Sequence, residues 1–128
     1  MGVDSRAPEA GSLGAGPGWL RLATELAKVV PPADVQGVWL FPPVRREDRE
    51  WGTAVVARRA EAERVRVYTA RYAQVVRGRD KGQGRVQIEE VAECTRAVIF
   101  EVLKGVQERM VETEMPVEIS PAAWYPNP

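Results

Sequence analysis

The feature that most constrains the fold is the longest run of apolar periodicity, which lies between Gln87 and Glu112. Small or apolar residues recur there at spacings of three and four, namely Ile88, Val91, Ala92, Thr95, Val98, Ile99, Val102, Leu103, Val106 and Met110. This spacing predicts an amphipathic helix. Such a helix would span roughly 38 Å, enough to cross a sheet whose strands have about ten residues. We therefore expect one long core helix over residues 87–112.

The chain before this run predicts one helix followed by three strands. Trp19 to Val30 places its apolar residues on one stripe, and Pro31 and Pro32 end the helix. The runs that are typical of strands are 35–44, 51–58 and 64–76. The predicted fold class is therefore α+β, a two-layer sandwich in which a helix, a three-stranded antiparallel meander and the long C-terminal helix follow in the order α-β-β-β-α.

The second predicted strand shows a strict alternation that assigns its two faces. Its odd-numbered residues Trp51, Thr53, Val55 and Ala57 lie on one side, and Gly52, Ala54 and Val56 lie on the other. Small residues on the second side leave room for a bulky element to pack there.

Glycine and proline divide the chain into three parts. Residues 1–18 are rich in both and too poor in apolar residues to fold, so we expect a disordered leader without a signal peptide. Residues 19–112 form a single α+β domain. Residues 113–128 contain four prolines and predict an extended tail.

The residue types that are absent exclude several kinds of chemistry. There is no histidine, and Cys94 is the single cysteine, which removes the commonest general base and leaves no zinc ligand set. We therefore expect no metal site, no cofactor and no catalytic residues. A lone cysteine cannot form an internal disulfide, and this favours a reducing compartment, the cytoplasm.

The charge is distributed unevenly along the chain. Its net value is zero, but the block from Arg58 to Arg85 has nine basic and three acidic residues, whereas the block from Val86 to Pro128 has three and eight. The basic block ends in a loop with three glycines, which lets the backbone approach an anion. The candidate residues for binding an anion or a nucleic acid are Arg66, Arg71, Arg77, Arg79, Lys81 and Arg85.

The predicted element order resembles that of the double-stranded RNA-binding domain. In that family a third strand is followed by a basic loop containing glycine and then by a long helix, as in Val65 to Val76, Gly82 and Gly84 here. The resemblance implies phosphate contacts from lysines at the start of the last helix. The matching positions here carry Gln87, Glu89 and Glu90 instead, and carboxylates oppose binding to a phosphate backbone.

Three function classes remain open on the sequence alone. The first is a small non-catalytic adaptor or accessory protein that binds a protein partner or a second copy of itself, since a three-stranded sheet has two open edges. Trp124 and Tyr125, in the proline-rich tail, are candidates for docking on a partner. The second class is the binding of nucleic acid or a phosphorylated ligand by the basic loop at 77–85. The third is an enzyme that uses carboxylates, for which the sequence singles out no pair.

Overall fold

A computed structural model of the chain describes residues 18–75 and 84–125. Most of the predicted leader, three of the six candidate cations (Arg77, Arg79 and Lys81) and the last three residues lie outside these ranges. The helices and strands, in chain order, are α1 (Trp19–Val29), β1 (Val35–Leu40), β2 (Val44–Arg46), β3 (Arg49–Arg59), β4 (Arg64–Val75), β5 (Gln87–Thr95), α2 (Ile99–Arg109), β6 (Val117–Ile119) and α3 (Pro121–Trp124).

The sheet of the described residues has six antiparallel strands, so the prediction of a three-stranded meander is wrong. Its order is β5-β4-β3-β1-β6, and the short strand β2 pairs with β3 beside this path. The predicted boundaries of α1 and β4 are within one residue of those observed. The first predicted strand ends early at Leu40, and the residues between the first two predicted strands contribute most of β2 and the start of β3.

The predicted long helix over 87–112 is also wrong. Its first third is strand β5, which is followed by a 3₁₀ turn at Arg96–Val98, and only Ile99–Arg109 is α-helical. The two-layer α-β-β-β-α sandwich is thereby replaced by a sheet with helices on both faces. The long strand β4 explains why residues 87–95 form a strand. Without β5, the outer edge of β4 would present unpaired backbone groups beside the core.

A β-bulge explains why β5 looks helical in sequence. Val67 of β4 pairs with Ala92, and the next residue, Tyr68, pairs with Glu90, so that Val91 has no partner. The extra residue shifts the alternation of side chains halfway along the strand. Ile88 therefore packs on the side of the sheet that α1 covers, whereas Ala92 and Cys94 pack on the side that α2 covers. The apolar residues of β5 thus lack the period of two by which a strand is recognised in sequence.

Helix α1 covers one face of the sheet, which we call the α1 face. Trp19, Leu22 and Leu26 are buried there with Val38 and Val56 in the first core cluster. Gly18 precedes the helix with φ 76°, and a Cβ at this position would lie 2.7 Å from the ring of Tyr72. Glycine at position 18 thus allows both the left-handed backbone and the close approach of α1 to the sheet.

Helix α2 covers the opposite face, which we call the α2 face. Leu103 and Val106 are buried against Phe41, Val55 and Val67 in the second core cluster. The odd-numbered residues of β3 lie on this face, as the sequence alternation predicted, because Val55 pairs with Thr69 and Ala57 pairs with Val67. The sheet is therefore buried on both sides over its centre, and its polar chemistry is confined to its ends.

The segment predicted as an extended tail contains β6 and α3. Strand β6 pairs with β1, and Pro121 opens the single turn of α3. This turn places Trp124, which is completely buried, 6.1 Å from Trp19 in an edge-to-face arrangement, and Tyr125 is also buried. The predicted docking residues are thus core residues of their own domain, because their apolar rings fill the space beside α1 and are not presented to a partner.

The turn between β3 and β4 holds two side chains in a strained backbone conformation. Ala62 and Glu63 have φ values of 55° and 61°, and the Arg64 amide donates a hydrogen bond to the Glu61 carbonyl at 3.0 Å. These are the features of a type I′ turn, whose central positions favour Asn and Gly. Each of the two left-handed residues costs about 1 kcal/mol.

We predict that replacing Ala62 and Glu63 by Asn and Gly raises the free energy of unfolding by about 1 to 2 kcal/mol, because the new residues adopt positive φ readily. Urea denaturation followed by circular dichroism measures the change. E63Q is the matched control, because it removes the charge without relieving the backbone. An unchanged denaturation midpoint in the double variant would show that this turn is not of type I′.

Candidate functional site

The structure separates the arginines that the sequence grouped together. Arg66 and Arg71 lie on opposite faces of β4, because they are five positions apart along a strand without a bulge of its own. Arg66 is exposed and forms an ion pair with Glu93, whereas Arg71 is partly buried on the α2 face. Arg85 is exposed just before β5. The described candidates therefore form no single basic patch.

A different set of arginines converges at the end of the sheet where β3 turns into β4. A cleft of about 600 Å³ lies there between the turn and the connection from β5 to α2. Its polar lining consists of Gln36, Arg59, Glu63, Arg64, Thr95 and Arg96, and its apolar lining of Ala60, Ala62, Val65 and Ala97. We call this feature the arginine cleft. Three cations against one carboxylate give its lining a positive charge.

Two of the three cleft arginines are held in place by neighbours. The Arg96 guanidinium donates to Gln36 Oε1 at 3.2 Å. Arg64 donates through Nε to Glu93 Oε2 at 3.1 Å and through Nη2 to the Glu93 carbonyl at 3.3 Å. The side chain of Arg59, which is exposed, has no hydrogen bond or ion pair within residues 18–75 and 84–125. The cleft thus combines two oriented guanidiniums with one that is available to a ligand.

Glu93 organises the other side of the same turn. Its two carboxylate oxygens accept hydrogen bonds from Arg64 and Arg66, and these bonds lower the pKa of the Glu93 carboxyl. A second groove, of about 560 Å³, lies beside this pair and is lined by Arg58, Arg59 and Arg66. Arg59 borders both grooves. Arg64, Ala60 and Ala62 border both grooves as well, so the two concave surfaces are continuous across the turn.

A second polar cluster lies toward the opposite end of β3 and β4, on the α2 face. Arg71 Nε donates to Thr53 Oγ1 at 3.1 Å, and the Thr53 hydroxyl donates to Glu112 Oε1 at 3.4 Å. Thr53 is only 2% exposed. We call these residues the Arg71–Thr53–Glu112 triplet. A buried hydroxyl in this position links a cation to a carboxylate that follows α2, and so fastens the chain after the helix to the sheet.

The position of Glu112 depends on a strained helix end. Val111 has φ 55°, and its amide donates to the Glu108 carbonyl at 3.2 Å while the Glu112 amide donates to the Gln107 carbonyl at 2.9 Å. This is the Schellman arrangement, in which glycine normally occupies the left-handed position. A β-branched residue there is an outlier that costs about 1 to 2 kcal/mol. Strain of this kind often accompanies a functional position.

Burial dominates the electrostatics of Glu112. Partial burial raises the pKa of its carboxyl, while the charges of Arg71 and Arg46 and the hydrogen bond from Thr53 oppose the shift without cancelling it. Arg46 also donates from Nη2 to the Val111 carbonyl at 3.4 Å. Glu112 therefore faces two cations and a hydroxyl.

Sequence reasoning missed Arg59, Arg96 and Glu112. Arg59 and Arg96 are 37 residues apart in the chain, and only the passage of β5 into α2 over the sheet brings them to one cleft. The left-handed backbone at Val111 directs the Glu112 side chain toward Thr53. Valine at that position does not predict a left-handed turn, whereas glycine would. Cys94, which falls within the predicted long helix, instead lies partly buried on β5.

Comparisons with known proteins add no identity: no protein-family model, curated protein or solved structure matches this chain. Within the described ranges, no three histidine, cysteine or acidic side chains are placed to hold a metal ion together. In the same ranges no helix combines the length and the apolar composition needed to cross a membrane. The arginine cleft and the Arg71–Thr53–Glu112 triplet are the candidate functional sites.

We predict that E112Q stabilises the protein at neutral pH. The folded-state pKa of Glu112 is raised above its usual 4.5, so ionised Glu112 costs stability, and this cost is lost as the pH falls through the raised pKa. The glutamine side chain of this variant retains an oxygen that accepts the Thr53 hydrogen bond and carries no charge.

Thermal unfolding of both proteins between neutral and acidic pH tests this prediction. The melting temperature of E112Q should exceed that of the wild type at pH 7, and the two curves should converge in acid. E114Q, at an exposed position nearby, is the control for loss of one negative charge. A gain in melting temperature that persists unchanged in acid would rule out the titration of Glu112 as its origin.

Proposed function

We propose that the protein is a non-catalytic cytoplasmic interaction protein whose arginine cleft binds an acidic segment of a protein partner. The observation that carries the proposal is the exposed guanidinium of Arg59, which lines the cleft together with Arg64 and Arg96. The Arg59 guanidinium is unpaired within the described part of the chain. Arginine is well suited to this role because its planar fork donates two parallel hydrogen bonds to a carboxylate.

The lining of the cleft favours a peptide over a nucleic acid. Its positive residues are confined to one end of the sheet, and Glu61 and Glu63 flank the turn that borders it. A phosphate backbone would approach these carboxylates along its length, and repulsion would oppose the charge neutralisation on which nucleic-acid affinity depends. A short acidic segment can direct its carboxylates to the arginines of the lining, in which three cations face the single carboxylate of Glu63. Its aliphatic parts can contact Ala60 and Val65 on the apolar part of the lining.

The preorganisation of the cleft also supports a binding role. Arg64 and Arg96 are already oriented by Glu93 and Gln36, so less side-chain entropy is lost when they meet a ligand. Arg59 and the residues of the turn lie on a β-hairpin whose backbone is fixed by pairing with β4 along its whole length. A rigid element that carries oriented donors is the arrangement expected of a recognition surface.

A second copy of this chain is one source of such a segment. The block from Val86 to Pro128 has eight acidic and three basic residues, a net charge of −5. Opposite charges on two surfaces of one molecule can pair between copies, and the geometry is then head-to-tail. We therefore include self-association in the proposal, with the arginine cleft as one half of the contact.

A fluorescent hexaglutamate peptide tests the proposal by fluorescence anisotropy. Wild-type protein should bind it saturably, with affinity that falls as salt is added. R59E should bind at least about tenfold more weakly, a change of ~1.4 kcal/mol. R49E is the matched control, since Arg49 and Arg59 are exposed residues at opposite ends of β3, and its affinity should match the wild type.

Two further measurements distinguish a protein partner from a nucleic acid and from a second copy of the chain. Absence of hexaglutamate binding at low salt would overturn the proposal, and so would tighter binding of a labelled RNA oligonucleotide than of the peptide. Light scattering after size exclusion gives the mass of each variant. If the acidic segment belongs to a second copy, the wild type and R49E should form dimers or larger species at high concentration, and R59E should be monomeric.

A further inference from the structure

A smaller cavity lies beside the Arg71–Thr53–Glu112 triplet, away from the arginine cleft. Its volume is about 230 Å³, and it opens between β4, the start of β5 and the end of α2. The residues that line it are Thr69, Arg71, Gln87, Glu89, Arg109 and Met110. Since a water molecule takes up about 30 Å³ of liquid, the space suits a ligand of several heavy atoms.

Arg71 is fixed at the wall of this cavity by two contacts. Its Nε donates to Thr53 Oγ1 at 3.1 Å, and its guanidinium carbon lies 4.9 Å from the ring centre of Trp51. The two terminal nitrogens have no hydrogen bond within residues 18–75 and 84–125. A partly buried guanidinium with free terminal donors has lost part of its hydration without full replacement, and an anion in the cavity would supply the missing acceptors.

Like charges also gather around Arg71. Burial lowers the pKa of its guanidinium, and the charges of Arg46 and Arg109 lower it further, against the opposing effect of Glu112. Glu89 lies 3.9 Å from Arg109, at the long limit of an ion pair. Three arginines against Glu112 and Glu89 leave one positive charge in the cluster. The repulsion among the guanidiniums is relieved by one additional negative charge.

We propose that this cavity is a binding site for a small carboxylate ligand, held by the terminal nitrogens of Arg71, with Arg109 as the second cation of the lining. The single excess positive charge matches a monoanion. A phosphate dianion would leave a negative charge beside Glu89. The planar carboxylate also fits the planar fork of Arg71, whose orientation Trp51 and Thr53 already fix. Gln87 and Thr69 provide further polar groups for the remainder of such a ligand.

Titration of ¹⁵N-labelled protein with sodium acetate tests the assignment, with sodium chloride adjusted to keep the ionic strength constant. The resonances to follow are the Nε–H of Arg71 and the backbone amides of Thr69 and Gln87. Acetate should shift these signals saturably. The same titration with inorganic phosphate forms the second arm and should give weaker binding.

Three variants distinguish acetate binding in this cavity from nonspecific attraction of acetate to positive charge. R71K keeps the charge but loses the fork, and it should weaken acetate binding at least about tenfold. R109Q should weaken acetate binding severalfold. Because Arg109 is exposed, this variant does not affect the core, and it keeps the test valid if R71K fails to fold. R49K, at an exposed arginine outside the cavity lining, should bind as the wild type does.

The proposal is overturned by linear, non-saturating shifts that are equal in the wild type and R109Q. Saturable binding of phosphate in preference to acetate would overturn the assignment of the ligand as a carboxylate. Failure of hexaglutamate to bind the arginine cleft has no bearing on these outcomes, because the two sites share no lining residue.

Discussion

The structure depends on the pairing of β4 along both of its edges. This twelve-residue strand pairs with β3 from Val65 to Val75 and with β5 from Arg64 to Arg71. Its backbone groups are therefore satisfied by neighbouring strands where the helices cover both faces and exclude water. This requirement favours a strand over residues 87–95, and α2 then begins after the 3₁₀ turn at Arg96–Val98.

The same pairing places the two candidate sites. Apolar side chains occupy the middle of β3 and β4 on both faces, so arginines are tolerated only toward the ends. At the hairpin end, Arg59 and Arg64 meet Arg96 from the connection to α2. Toward the other end, Arg71 meets Glu112 from the chain after α2 through Thr53. One helix, lying across one face, thus contributes a residue to each site from the segments that flank it.

Sequence reasoning succeeded where one period held along a whole element, as in α1 and in the alternating faces of β3. It failed at β5, because the bulge at Val91 moves the even-numbered residues to the other face of the sheet and so interrupts the period of two. It also missed α3, whose single turn is stabilised by the burial of Trp124 and has too few residues to show a period. Of the candidate site residues, Arg71 was identified from sequence. Its partner Glu112 was not, because valine at position 111 gives no sign of a left-handed backbone.

The whole architecture depends on β5 being a strand joined to β4 in a register that skips Val91. Proton–proton nuclear Overhauser effects in solution measure this register most directly. This register predicts cross-strand contacts of Val67 with Ala92 and of Tyr68 with Glu90, together with extended backbone chemical shifts throughout Gln87–Thr95. Contacts between residues three apart within that segment, with helical chemical shifts and no contact to β4, would contradict it.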